Sequence, residues 1–123
     1  MTFCNSRFTR KCKYELSRFS VKSGYAIYGA ASKLLKYFVS NYCKSGDTIV
    51  SYSDYGKSTG NLYKMLGFKY DSLSKPSYVW WKSHKEVISR YKTQMKNEIN
   101  IMHEKGYSRI YDCGNIVWIY CKS

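Results

Sequence analysis

Eight carboxylates, five thiols and two imidazoles are the side chains in this sequence that can serve as acids, nucleophiles or metal ligands. The carboxylates are Glu15, Asp47, Asp54, Asp71, Glu86, Glu98, Glu104 and Asp112. None stands in the strand-borne D…E-x-K pattern through which a nuclease holds its catalytic metal. No H-x-x-x-H pair or glycine-rich nucleotide loop takes its place. The chain is therefore expected to be no enzyme and to cut nothing by itself. Cys4, Cys12, Cys43, Cys113 and Cys121 are odd in number and form no C-x-x-C pair, so they read as reduced, mostly buried thiols. His84 and His103 fall in one predicted helical region without sharing a face. Neither a metal site nor a cofactor is expected.

What the chain has in excess is positive charge: 21 Lys and Arg against 8 Asp and Glu, a net +13. On so small a chain that surplus attracts polyanions and speeds their encounter. DNA, RNA or a protein complex carrying nucleic acid is the first partner to consider, although a Lys-rich surface also serves solubility. The cations are spread along the chain instead of lining one terminal amphipathic helix, so no membrane partner is expected. Candidate phosphate contacts are Arg7, Arg10 and Lys11 in an early loop and Lys57 in a later turn. Lys85, Arg90, Lys92 and Lys96 join them on a long helix. Tyr55, Trp80 or Trp81 is available to stack on unpaired bases.

The elements that must position these residues follow from periodicity. At 123 residues, 44% hydrophobic and 18% aromatic, the chain is one folded domain with one core. No apolar run approaches the roughly 20 residues that span a bilayer. The first residues lack a secretory apolar block, so the bacterial host cytoplasm is the expected location. Met1 to Cys4 and Lys13 to Val21 read as antiparallel strands joined across Asn5 to Cys12, with a bulge or change of face between Leu16 and Phe19. A small-residue run, Lys22 to Ala31, leads to a helix opened near Ser32, with Leu34, Leu35, Phe38, Val39 and Tyr42 as its stripe. Thr48 to Tyr52 is a strand, and Gly60 to Gly67 a short helix carrying Leu62, Tyr63 and Leu66 inward, with Gly67 as C-cap. Phe68 to Tyr70 and Tyr78 to Trp81 are further strands. From His84 to Lys105 the spacing of Ile88, Tyr91, Met95, Ile99 and Met102 predicts one long helix, its Lys85, Lys92 and Lys96 on another face. Tyr107 to Tyr111 and Ile116 to Tyr120 then form a hairpin with Gly114 at positive φ. The fold class is α+β, with residues 1–82 as an α/β core and 83–123 as a basic helix and hairpin packed on it.

The order Gly/Ala turn, helix with paired leucines, strand, then NLYKMLGF (Asn61 to Phe68) is similar to the second half of the GNAT acyltransferase fold. That resemblance implies a truncated GNAT-like sheet with two packed helices. In that family the turn's amides hold the pyrophosphate of coenzyme A, the cofactor's tail enters between two splayed strands, and a tyrosine in the later helix serves as the acid. Carried over by position, Gly29, Ala30 and Ala31 would be the turn and Tyr63 the acid. The chain departs from the pattern at Ala26, where the family has Gln or Arg, and it lacks the family's first strands and early helices.

A longer resemblance spans nearly the whole chain. KYELSRFSV, GAASKLLKYFV, IVSYSDYGKSTGNLYKMLGF, SKPSYVWW and EKGYSRIYDCGN, in that order, resemble the C-terminal region of phage homing endonucleases whose N-terminal part is a very-short-patch-repair-like nuclease. This resemblance implies a GNAT-like module that has lost its chemistry and contacts DNA, here separated from its nuclease. The function expected is non-catalytic binding of nucleic acid or a nucleoprotein by a phage or mobile-element protein. The alternatives are a counter-defence inhibitor of a host nuclease such as a CRISPR effector, and residual acyltransfer.

Overall fold

Ile49 and Val50 are wholly buried, and the strand that carries them is the one against which most of the chain is built. The computed structural model describes residues 1–94 and 96–123, Tyr91 by its backbone alone. In chain order the elements are β1 (Thr2–Asn5), β2 (Tyr14–Arg18), α1 (Ala30–Tyr42), β3 (Thr48–Asp54), α2 (Asn61–Leu66), β4 (Lys69–Leu73), β5 (Tyr78–Ser83) and β6 (Glu86–Ser89). A 3₁₀ turn (Arg90–Thr93), α3 (Glu98–Glu104), β7 (Ser108–Tyr111) and β8 (Asn115–Cys121) complete the chain. Helices and two sheets of separate topology make it α+β, as its patterning implies.

The larger sheet has the order β1-β2-β3-β8-β4. β1 and β2 are antiparallel, with Ser17 bulged out where Thr2 faces Arg18 but Phe3 faces Leu16. β2 and β3 are parallel, which requires a crossover, and α1 supplies it. They pair only at Tyr14 with Ile49 and Glu15 with Val50, and then part. Leu35 and Val39 of α1, Leu66 of α2, and Leu16, Ile49, Phe68 and Trp118 form the core on one side of this sheet.

α1 opens at Gly29, three residues before the expected Ser32, because Gly29 takes the left-handed conformation that ends the preceding loop (φ 70°). Leu34 and Tyr42 of its predicted stripe are exposed, and Leu35 and Val39 carry the burial. Its last turn has no cation of its own. Lys122, just past β8, donates to the carbonyls of Val39 (3.0 Å) and Cys43 (2.7 Å) and satisfies that helix end. α2 begins at Gly60, where φ is 74° and an added Cβ would collide with the Trp118 ring, so both backbone and packing demand glycine. It ends at Gly67 with φ 90°, as its sequence predicts.

The smaller sheet, β6-β5-β7, corrects the reading of the C-terminal third. No helix spans residues 84–105. Val87 and Ile88 instead pair across from Trp81 and Trp80 in β6, where branched side chains pack on aromatic neighbours. Asn97, in the left-handed region at φ 60°, starts α3 afresh. Of the predicted stripe, Met95 lies outside the described residues, as does the Tyr91 side chain, and Met102 alone is fully buried. The expected hairpin is not one either. Gly114 does take φ 82°, but β7 pairs with β5 whereas β8 inserts between β3 and β4. Residues 83–123 are therefore not a helix and hairpin packed on the 1–82 core: β8 lies between strands of the first 82 residues, paired with β3 along its whole length.

Candidate functional site

Alternation along a strand sends neighbouring side chains to opposite faces, and directly paired residues share a face. On one face of the smaller sheet this groups Tyr78, Trp80, Ile88, Arg109 and Tyr111. That face is covered at its centre, around Trp80, whereas Tyr111 at its edge is 55% exposed. Trp80 is fully buried, and its indole N–H donates to Thr93 Oγ1 (2.9 Å) and Glu98 Oε1 (2.8 Å). The Thr93 hydroxyl lies 2.7 Å from the same carboxylate oxygen, and Tyr78 donates to Glu98 at 3.3 Å. These bonds, from Thr93 first and then Trp80, hold the Glu98 carboxyl below its ordinary pKa. The Arg109 guanidinium lies 5.4 Å from the Tyr78 ring, 5.9 Å from Trp80 and 5.7 Å from Tyr111, and Arg90 sits 4.8 Å from Tyr78.

The other face carries Val79, Trp81, Val87 and Ile110, with Val79 paired to Ile110 and Trp81 to Val87. It is open: Trp81 and Val79 are each 37% exposed, Ile110 48% and Val87 50%. Where this face meets the end of β3 and its following turn, a cleft of about 640 Å³ forms. Val79 and Ile110 line it with Tyr78 and Tyr111, and Lys57, Arg90, Asp54 and Asp112 carry its charge. Both carboxylates also brace the backbone. Asp54 Oδ1 accepts from the Gly56 N–H (2.9 Å), and Asp112 Oδ1 from those of Ser77 (2.8 Å) and Gly114 (2.9 Å), which lowers the Asp112 pKa. The Ser77 bond ties the start of β5 to the loop leading into β8 and so fixes the cleft's shape.

Of the residues singled out by sequence, Lys57 and Arg90 meet in this cleft. Lys85 lies in the β5–β6 turn, Arg90 and Lys92 in the 3₁₀ turn, and Lys96 in the turn before α3, so the single helical face expected for the lysines does not exist. Arg109, Tyr78 and Tyr111 were not singled out. Their signal is the alternation in SRIYD, which puts Arg109 and Tyr111 on one face of a strand. Tyr55 is exposed in the turn after β3, and Trp80 is withdrawn from any stacking role by burial.

Arg7, Arg10 and Lys11 share the β1–β2 loop, but Arg7 is committed to Glu15. Its Nη2 donates to Glu15 Oε1 (2.6 Å), and its Nε (3.4 Å) and backbone N–H (3.2 Å) donate to Oε2. Glu15 is only 2% exposed, and Arg7 holds its carboxyl below the usual range. A smaller cavity of about 420 Å³, lined by this pair with Phe8, Ser17 and Tyr52, lies where β2 and β3 part.

Tyr63 lies in the core beside that parting. Its ring stacks on Trp118, and its hydroxyl is 3.0 Å from Ser51 Oγ, which itself donates to the Leu16 carbonyl at 2.9 Å. Gly29, Ala30 and Ala31 form the start of α1, with Ala31 packed against the core. All five cysteines are unbridged. Cys12 and Cys43 are buried as expected, whereas Cys113 is exposed in the loop between β7 and β8 and Cys121 at the end of β8. Among the described residues, no three His, Cys, Asp or Glu side chains lie close enough to hold a metal ion, and no helix is long and apolar enough to cross a membrane. No family model, curated protein or solved structure matches this chain.

Proposed function

We propose that this chain is a non-catalytic nucleic-acid-binding module that uses the smaller sheet's open face and the cleft beside it. The observation that carries this reading is one exposed apolar and aromatic surface on a chain of net charge +13, with Lys57 and Arg90 brought from separate segments into the cleft beside it. Such a surface attracts phosphates at its rim and offers flat rings at its centre. The larger sheet serves as scaffold. The parting of β2 and β3 after two paired positions supports its kinship with the GNAT-like module of phage homing endonucleases.

The test is binding of labelled DNA and RNA across a salt series. For about four phosphate contacts, affinity falls roughly a hundredfold between about 50 and 200 mM salt. A flat response overturns the proposal.

The same parting favours a second reading, residual acyltransfer. A cofactor tail entering there would have to break the hydrogen bond from Ser51 to the Leu16 carbonyl that bridges the two strands. Coenzyme A at about millimolar concentration raises the melting temperature if this reading holds. No shift closes it.

A further inference from the structure

We infer that the open face of the smaller sheet takes an unpaired base, so that the ligand is single-stranded nucleic acid with Trp81 as its stacking platform; this rests on the nucleic-acid reading above.

Charge placement carries the argument. Within the cleft, the two cations Lys57 and Arg90 are matched by the two carboxylates Asp54 and Asp112. A phosphate therefore gains little by entering, because each attraction is offset by a repulsion at similar range. A neutral, flat base gains from the apolar walls and meets no net field. The unmatched charge lies outside, at Lys85 in the β5–β6 turn, at the end of β5 nearer Trp81. Backbone at the rim and base on the sheet is the arrangement that satisfies both.

A duplex cannot adopt it. Its bases present edges in the grooves and keep their faces stacked on one another, whereas a single strand offers a face to every aromatic ring it passes. Trp81 is 37% exposed on a strand that Trp80 anchors from the other side, so the backbone that presents its ring is fixed before the ligand arrives. Val79 and Ile110 extend the apolar surface toward the cleft and give the neighbouring base somewhere to lie.

The experiment compares a labelled oligonucleotide of about 10 nucleotides with its duplex at equal ionic strength. Binding of the strand at least about tenfold tighter is expected, together with quenching of tryptophan emission. Trp81→Ala lowers strand affinity about tenfold or more and leaves duplex affinity unchanged. Trp81→Phe keeps most of the affinity but loses the quenching, since Trp80 and Trp118 are buried. Equal affinity for strand and duplex, or a Trp81→Ala variant that binds the strand as the wild type does, overturns the inference and leaves the basic-surface reading standing if binding still falls with salt. Absence of salt-dependent binding to either form overturns both. Sedimentation without ligand covers the rival occupant: a dimer that Trp81→Ala disperses assigns this face to a second copy of the chain and overturns the inference.

Discussion

Trp118 and Trp80 are each the largest buried side chain of their sheet, and they are secured by different physics. Trp118 lies among Tyr63, Phe68 and Leu66, and its indole N–H finds one neutral partner, Ser53 Oγ, at 2.8 Å. Removing apolar and aromatic area from water holds it there. Trp80 is packed by His103 and Tyr78, but its N–H is shared between a threonine hydroxyl and an ionised carboxylate. The smaller sheet is thus fastened from one side by a polar network, which frees its other side from having to close a core. The larger sheet has no such latitude on its core side, because α1 and α2 must cover it. This is why the exposed apolar surface beside the cleft belongs to the smaller sheet.

The sharpest way to test the contrast is to remove each ring. Trp118→Ala should cost about 3–5 kcal/mol in urea unfolding, since it deletes a large buried aromatic and leaves Gly60 and Tyr63 facing a void. A loss under about 1 kcal/mol would mean that this core is not closed around it. Trp80→Phe keeps most of the apolar volume and removes only the donor. Its expected cost is smaller, about 1–3 kcal/mol, from a hydrogen-bonded carboxylate and hydroxyl left a partner short. The matching Trp118→Phe change should cost less than Trp80→Phe, because Ser53 is a single neutral acceptor.

Acid should weaken both regions. Glu98, Asp112, Glu15 and Asp47 all have native pKa values lowered by hydrogen bonds, from Thr93, the Ser77 backbone, Arg7 and the Lys44 backbone respectively. Below the ordinary carboxylate range, the unfolded chain takes up protons that the folded chain refuses. Their contribution is therefore fully present at neutral pH and is lost as pH falls through the lowered native values. The melting temperature should be level around neutrality and drop below about pH 4. Glu98→Gln should lower it at pH 7 and flatten the acid limb, as part of the titrating stabilisation is already gone. An unchanged acid limb would show that the smaller sheet does not depend on this charge.

The mildest effect is expected at the rim. Lys85→Ala should weaken binding evenly across sequences and reduce the salt slope by about one, with stability unaltered. A sequence-selective loss would mean that Lys85 reads bases.

Much of the larger sheet could be read directly from residue order. Local signals are strong there: the alternation of KYELSRFSV, the helical stripe through Leu35 and Val39, the branched run Thr48 to Val50, and Gly67 as a helix stop. The candidate site was legible only in pieces. Lys57 and Arg90 stood out as cations and Trp81 as a ring, but the meeting of the two cations in one cleft depends on β7 crossing to β5 while β8 returns to β3. The segment from His84 to Lys105 misleads for a definite reason. Its apolar spacing fits a helix, yet Val87 and Ile88 gain more by pairing with Trp81 and Trp80 than a helical turn could return, and that gain exists only once β5 is in place.

By itself, the sequence determined the charge, the α+β class and the early elements, because these follow from composition and from contacts a few residues apart. Only the tertiary structure decided which face of the smaller sheet stays open, which tryptophans are buried and which is left exposed. Those outcomes turn on strand partners far apart in the chain, such as Trp81 with Ser108 and Ser53 with Ile116, and no local pattern encodes the choice between them.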